Sequence, residues 1–280
     1  MREIDVSKIT DALCEMCMSI NYELSDDMKK ALKEAQNQET APLGKQILKI
    51  LDENMEIAKT EKIPICQDTG MAVVFLKVGQ DVHFTGGSIE DAVNEGVRKG
   101  YTEGYLRKSV VADPLLRVNT NDNTPAVIHY EIVPGEEVEI TLAPKGFGSE
   151  NMSRVYMLKP ADGEEGVVNA VVEAVKLAGP NACPPVVVGV GIGGTFEKAA
   201  LLSKKALARP VDRESDKEHI RKLEAEILEK INQLEIGPAG LGGSISCLGV
   251  NIETYPTHIA GLPVAVNICC HVNRHIVRTI

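Results

Sequence analysis

The chain has 280 residues, 44% hydrophobic and 25% charged, enough to bury one sizeable core or two small ones. Its formal net charge of −10, from 40 acidic and 30 basic residues, leaves no basic footprint for nucleic acid and no polybasic patch for a membrane surface. Aromatic residues make up only 4% and tryptophan is absent, so a base-stacking platform is poorly supplied, and no apolar run is long enough to predict a membrane span.

Met1 to Lys8 carries Arg2, Glu3, Asp5 and Lys8 and lacks a signal-peptide core, which predicts a cytoplasmic protein. Residues 1–60 read as helices. Ile4, Val6, Ile9, Leu13, Met16, Cys17 and Ile20 follow a helical stripe. Ser25 stands as an N-cap ahead of Asp26, Asp27 and the apolar Met28, Ala31 and Leu32. Leu43, Ile47, Leu48, Leu51, Met55 and Ile57 mark another amphipathic helix. A dense apolar run from Met71 to Val78 predicts a strand, and Ser88 with Asp91, spaced like a capping box, opens a helix behind Gly86-Gly87. Ala126 to Val133 and Glu137 to Leu142 flank Pro134-Gly135, the pattern of a β-hairpin. Glu164 to Ala178 predicts a mostly buried helix ending at Gly179-Pro180, and Pro185 to Ile192 a short buried strand. Thr195 to Ala208 and Ser215 to Leu234 read as helices, the second with Lys222–Glu226 and Glu226–Lys230 pairs on a solvated face. Ser244 to Ile252 and Pro263 to Cys269 read as late strands. Helices and strands do not alternate regularly, so the expected class is α+β: a helical N-terminal part, 1–60, packed on a mixed α/β body within a single domain, 1–280.

Seven cysteines, at 14, 17, 66, 183, 247, 269 and 270, are an odd number without a signal peptide, which argues against a disulfide framework. Cys14 and Cys17 form a C-x-x-C on an apolar stripe and read as core thiols. In Cys66-Gln67-Asp68-Thr69-Gly70 a thiol, an amide, a carboxylate and a hydroxyl sit side by side, more than a turn needs. Lys145-Gly146-Phe147-Gly148-Ser149-Glu150-Asn151 offers backbone N–H groups to an anion, or a capped hairpin exit. Asn181-Ala182-Cys183-Pro184-Pro185 presents a cysteine on a stiff backbone, which suits a metal ligand as well as a tight connection. Gly189 to Gly194 fits G-x-G-x-x-G, a dinucleotide fingerprint in form. The usual unit continues into a second strand with an acid about 20 residues on, whereas here a helix, Pro210-Val211-Asp212 and a long charged helix follow, so a close-packed strand–helix turn is the plainer reading. His258 lies in a loop before an apolar strand that ends in Cys269-Cys270-His271, a placement that suits an acid–base group.

C-Q-D-T-G at 66–70, K-G-F-G-S-E-N at 145–151, N-A-C-P-P at 181–185 and T-H-I-A-G-L-P at 257–263, in that order, resemble the α-type subunit of the iron–sulfur hydro-lyases, class I fumarate hydratase and L-tartrate dehydratase. The resemblance runs from about residue 8 to the end of the chain. It implies the α-type hydro-lyase fold and a [4Fe–4S] cluster held by three cysteines, leaving one iron open as a Lewis acid. Cys66 and Cys183 match its motifs directly. Cys269 and Cys270 both stand at the end of the last strand, and the family's spacing of twelve residues after the motif histidine picks Cys270. The resemblance further implies Gln67 and Asp68 as substrate contacts and His258 as general acid at the leaving hydroxyl, with Asp68 orienting it. Arg107 would be the substrate-carboxylate arginine (Arg98 and Arg117 are its alternatives), and Gly146 and Gly148 would be backbone donors. Phe147 stands where the family pattern has a third glycine.

The implied activity is reversible hydration of fumarate to L-malate, with dehydration of L-tartrate as the alternative. The enzyme would be oxygen-sensitive. A β-type subunit would supply the base and further substrate ligands, and the α chains would pair within an α2β2 assembly. From the Gly189–Gly194 loop alone the competing class is an NAD-dependent oxidoreductase.

Overall fold

A computed structural model describes residues 1–280. The chain divides into two compact units, Met1–Ser25 with Met55–Phe147 and Arg274–Ile280, and Asp26–Asn54 with Gly148–Asn273. Each has a four-stranded mixed sheet, as the α+β expectation requires. No helix is long and apolar enough to cross a membrane.

In the first unit β1 (Arg2–Asp5) pairs in parallel with β3 (Val82–Thr85), so the chain starts as a strand where a helical stripe was expected. The sheet runs β10 (Ile276–Thr279), β5 (Val138–Lys145), β2 (Met71–Gly79), β4 (Val127–Val133). The expected hairpin around Pro134-Gly135 is therefore corrected. β4 and β5 do not pair with each other but flank β2, one parallel and one antiparallel. β2 ends under the turn: Gly79 donates to Glu137 O at 2.8 Å, and a Cβ there would stand 2.4 Å from Gly135 O. The turn was legible, but the strand inserted beneath it came from elsewhere in the chain. α1 (Ser7–Tyr22) packs on α4 (Ile89–Glu103), whose N-cap Ser88 accepts the Asp91 N–H. Gly96 and Gly100 let the two helices approach; a Cβ on Gly100 would stand 2.7 Å from Cys17 Cβ. Cys14 and Cys17 are buried in this contact, core thiols as expected. Burial, with Glu103 nearby, pushes the Cys14 thiol up to about 11, and burial pushes Cys17 higher still.

In the second unit the sheet runs β6 (Arg154–Leu158), β9 (Leu262–Cys269), β7 (Val186–Gly193), β8 (Cys247–Tyr255). One face of β7, with Val186, Val188 and Val190, joins the core formed with α6 (Gly163–Ala178) and α8 (Glu218–Asn232). Its other face carries Gly189 and Gly191 against α7 (Phe196–Ala206). Cβ atoms there would stand 2.3 Å from Ser203 O and 2.1 Å from Ala199 O. A Cβ on Gly193 would stand 2.0 Å from Tyr255 O, so the glycine run is used up in close packing within the fold, as its plainer reading held. On α8 Glu226 pairs with Lys230 as expected, while Lys222 turns to Glu218. α2 (Asp26–Gln38) belongs to this unit, and α3 (Pro42–Glu61) begins in it, so the helical N-terminal part is shared between the two units.

Candidate active site

Within the first unit the loop 66–70 leaves α3 and enters β2. Cys66 is half-buried, and its sulfur accepts the Asp68 N–H at 3.4 Å and lies 3.5 Å from Gln67 Oε1. Asp68 accepts the Gly70 N–H on Oδ1 at 3.1 Å and the Phe147 N–H on Oδ2 at 2.9 Å. The second bond ties the C-Q-D-T-G loop to the K-G-F-G segment. It uses only the backbone of Phe147, whose side chain is half exposed, so the missing third glycine does not disturb it. Gly146 is required here, because a Cβ would meet Asp68 Oδ2 at 3.0 Å. At Gly70, with φ +80°, a Cβ would stand 2.8 Å from the Lys145 backbone.

Buried polar side chains hold this loop from beneath. Arg274, only 3% exposed, donates from Nη2 to Asp68 O at 2.9 Å and from Nη1 to Asn21 Oδ1 at 2.6 Å. The Tyr101 hydroxyl lies 2.9 Å from both the Thr69 and Gly70 carbonyl oxygens, and Asn123 Nδ2 donates to Gly70 O at 3.1 Å. Thr69 Oγ1 accepts the Arg107 N–H at 2.9 Å, which places Arg107 beside the loop with its side chain exposed. Arg98 is already paired, with Glu95 and with Asp122 at 2.9 Å, so its guanidinium is the less available of the alternatives. Burial works to raise the Asp122 carboxyl; the Thr124 N–H, Arg98 and the Thr124 hydroxyl outweigh it and hold it at about 2.

In the second unit Cys183 follows a tight turn, Gly179–Ala182, and takes the left-handed conformation at φ 54°, ψ 63°. Its N–H reaches Pro180 O, and its carbonyl oxygen lies 3.0 Å from Nδ1 of His271. That contact brings the Cys183 turn and the end of β9 together. At that end Cys269 is buried, at 2% exposure, whereas Cys270 is half-buried beyond the last strand residue. Burial pushes the His271 imidazole below its ordinary pKa against the pull of the Cys183 carbonyl. Gly148 stands near Asn181, where a Cβ would meet Asn181 O at an ordinary 3.9 Å. The His258 loop is pinned at its root, with Thr257 donating to Gly194 O at 2.9 Å. His258 is exposed, and its Nδ1 accepts the Ala260 N–H at 3.1 Å, so its own loop orients the ring. Both carboxylate oxygens of Asp68 are likewise engaged within its own unit.

Sequence reasoning missed the segment 237–243. Ala239 donates to Pro184 O at 2.8 Å, and Gly240 abuts Pro180, so this segment buttresses the Cys183 turn. Glu39 anchors it by accepting the Ser244 and Ile245 N–H groups, each at 2.9 Å. Burial works to raise the Glu39 carboxyl, but the N–H groups of Ala41, Ser244 and Ile245 hold it below its ordinary value. The signal was in Gly237-Pro238-Ala239-Gly240-Leu241-Gly242-Gly243, a glycine density beyond what one turn needs.

No three His, Cys, Asp or Glu side chains gather as the shell of a single metal ion. A four-iron cluster makes a different demand, since each thiolate binds its own iron and its ligands stand wider apart. The cysteines supply the donor type. None of the seven cysteines is in a disulfide, and Cys66, Cys183 and Cys270 are the ones not buried.

The family model described as fumarate hydratase (Fumerase) matches residues 10–279. A protein of Methanocaldococcus jannaschii named putative L(+)-tartrate dehydratase subunit alpha is 44% identical over 280 residues, 98% of each chain. Proteins named L(+)-tartrate dehydratase subunit alpha are 35% identical in Escherichia coli strain UTI89 and 34% in strain K12, over 96% of this chain and 89% of theirs.

Proposed function

Because the chain belongs to the family of class I fumarate hydratases and L(+)-tartrate dehydratases, as an α-type member, we propose that it is the α subunit of an iron–sulfur hydro-lyase that hydrates fumarate to L-malate reversibly. One observation carries the reading. Of seven cysteines, the two in the motifs, Cys66 and Cys183, and the one that the family spacing picks, Cys270, are reachable, while Cys14, Cys17, Cys247 and Cys269 are buried. Buried thiols resist the deprotonation that metal binding requires, and Cys247 is pushed up to about 12 by burial. Cys66, Cys183 and Cys270 are the thiolates that would hold a [4Fe–4S] cluster. When bound, such a cluster with three protein ligands supplies a Lewis-acidic iron to the substrate's hydroxyl and carboxylate.

The remaining work falls to side chains. Arg107 takes a substrate carboxylate as a planar, two-pronged donor. Gln67 and Asp68, in the loop that Arg274, Tyr101 and the Phe147 N–H hold, contact the substrate beside the first ligand. His258 donates the proton that leaves with the hydroxyl. Its Nδ1 accepts the Ala260 N–H, which leaves Nε2 as the nitrogen free to face the substrate. The base that removes the carbon-bound proton comes from a β-type partner, a reading supported by the name "subunit alpha" on its relatives. The same names support L-tartrate as the second reading for the substrate.

The test is anaerobic purification of the chain with the subunit that accompanies it, followed by iron and sulfide analysis and hydration assays. About four iron and four sulfide per chain, with fumarate turned over faster than L-tartrate, is the expected result. Faster tartrate turnover selects the second reading, and no iron under strict anaerobiosis overturns both.

A further inference from the structure

His271 has no role in the reading above, yet it stands between two of the expected ligands. Its Nδ1 lies 3.0 Å from the Cys183 carbonyl oxygen, and it directly follows Cys270 in the chain. A carbonyl accepts and does not donate, so the proton in this contact sits on Nδ1. The imidazole thus ties the backbone of one ligand to the residue bonded to another. Cys183 is an unusual place for such a tie, because a residue with a Cβ is held there at φ 54°. That conformation persists only where neighbours over-determine it. Its neighbours do so: Pro180 takes the Cys183 N–H, Ala239 donates to Pro184 O, and His271 holds the carbonyl between.

We propose that His271 is a positioning residue that fixes the spacing of Cys183 and Cys270 through its Nδ1–H, without itself binding metal or moving a proton. The proposal rests on the cluster reading. Asparagine places an amide N–H where histidine has Nδ1, and glutamine places one where it has Nε2, so the two substitutions separate the ring's two edges. In the complex with its partner subunit, H271N keeps wild-type iron content and the wild-type paramagnetic spectrum of the oxidised cluster. H271Q and H271A lose iron at least about tenfold faster under mild oxidation, the usual scale for residues that orient a ligand.

The cluster-free full chain supplies a second readout. A short bifunctional thiol reagent links Cys183 to Cys270 faster in wild type and H271N than in H271Q and H271A. Retention by H271Q with loss in H271N overturns the proposal in favour of a role for Nε2, and so does wild-type behaviour in all three variants. Iron absent from the wild-type complex sinks the cluster reading instead, and the cross-linking order then still decides whether His271 sets the spacing.

Discussion

The two units hold their candidate site residues by different means. In the first, the loop 66–70 is held by buried polar side chains: Arg274, Tyr101, Asn123 and Thr69 each bond a backbone group of the loop or of Arg107. In the second, the Cys183 turn is held mainly by backbone geometry, with a left-handed cysteine, a glycine-rich buttress and one imidazole. Side-chain clamps cost desolvation when a partner is lost, so the first loop fails abruptly when one is removed. Turns held by backbone geometry are sensitive instead to added atoms and to lost conformational freedom. Each unit is therefore vulnerable to a different kind of substitution.

The largest effect is expected at the three proposed cluster ligands. Serine at Cys66, Cys183 or Cys270 removes hydro-lyase activity by more than about a hundredfold, since even outer partners of a metal ligand cost 10- to 100-fold. Cys269→Ala is the control, because its thiol is buried at the end of β9. It retains iron and loses about 1 kcal/mol of stability by shrinking a packed side chain. Iron analysis of the two neighbouring variants distinguishes them; iron lost in Cys269→Ala and kept in Cys270→Ala would reverse the assignment.

Next comes the clamp itself. Arg274→Met leaves Asp68 O and Asn21 Oδ1 without their donor in a buried place. Its cost is about 3 kcal/mol, read from the urea midpoint. Arg274→Lys keeps the charge but not the fork, and it recovers only part of that loss. A cost no larger than that of an exposed substitution would mean that the first loop does not depend on its side-chain clamp.

The pH dependence of the first unit is smaller and has a defined sign. The Asp122 carboxyl is held at about 2, below its ordinary 3.8, so it stabilises the fold fully above about pH 4. That contribution fades as pH falls through the folded value near 2. Partial exposure of Asp122 and Arg98 keeps it to about 1 kcal/mol. Asp122→Asn should narrow the stability gap to wild type as pH drops from 5 to 2, measured by urea unfolding at each pH. A gap independent of pH would assign the loss to geometry around Asn123 instead.

Much of this site was legible because chemistry and spacing coincide. Cys66, Gln67 and Asp68 are adjacent in the chain, and the turn at Pro134-Gly135 announces itself by composition. What stayed hidden depends on distance along the chain. Arg274 reaches Asp68 across more than two hundred residues, and nothing near position 274 says that its guanidinium is buried. β2 slips between β4 and β5 because its own residues are apolar on both faces, a property that says it is central without saying between which strands. The glycines of Gly189–Gly194 illustrate the opposite hazard. Their spacing matches a ligand-binding pattern, but their hydrogens face α7 and Tyr255. Glycine reports that something comes close, and only the fold shows whether that is a ligand or the protein itself.

The smallest and most discriminating comparison lies in one short segment. Gly146 and Gly148 carry the same expectation from sequence, a backbone donor that a side chain would obstruct. The structure separates them. A Cβ on Gly146 would press on Asp68 Oδ2 at 3.0 Å, whereas one on Gly148 would rest 3.9 Å from Asn181 O. Gly146→Ala therefore displaces the Asp68 carboxylate and strains its bond to the Phe147 N–H. The expected cost is about 1 kcal/mol, with a raised KM. Gly148→Ala should fall within about 0.5 kcal/mol of wild type and leave KM unchanged. Equal, large effects at both positions would mean that each glycine is needed for close approach of substrate and that steric pressure on Asp68 is incidental. Unequal effects in the expected order assign the segment's sensitivity to the carboxylate that it holds.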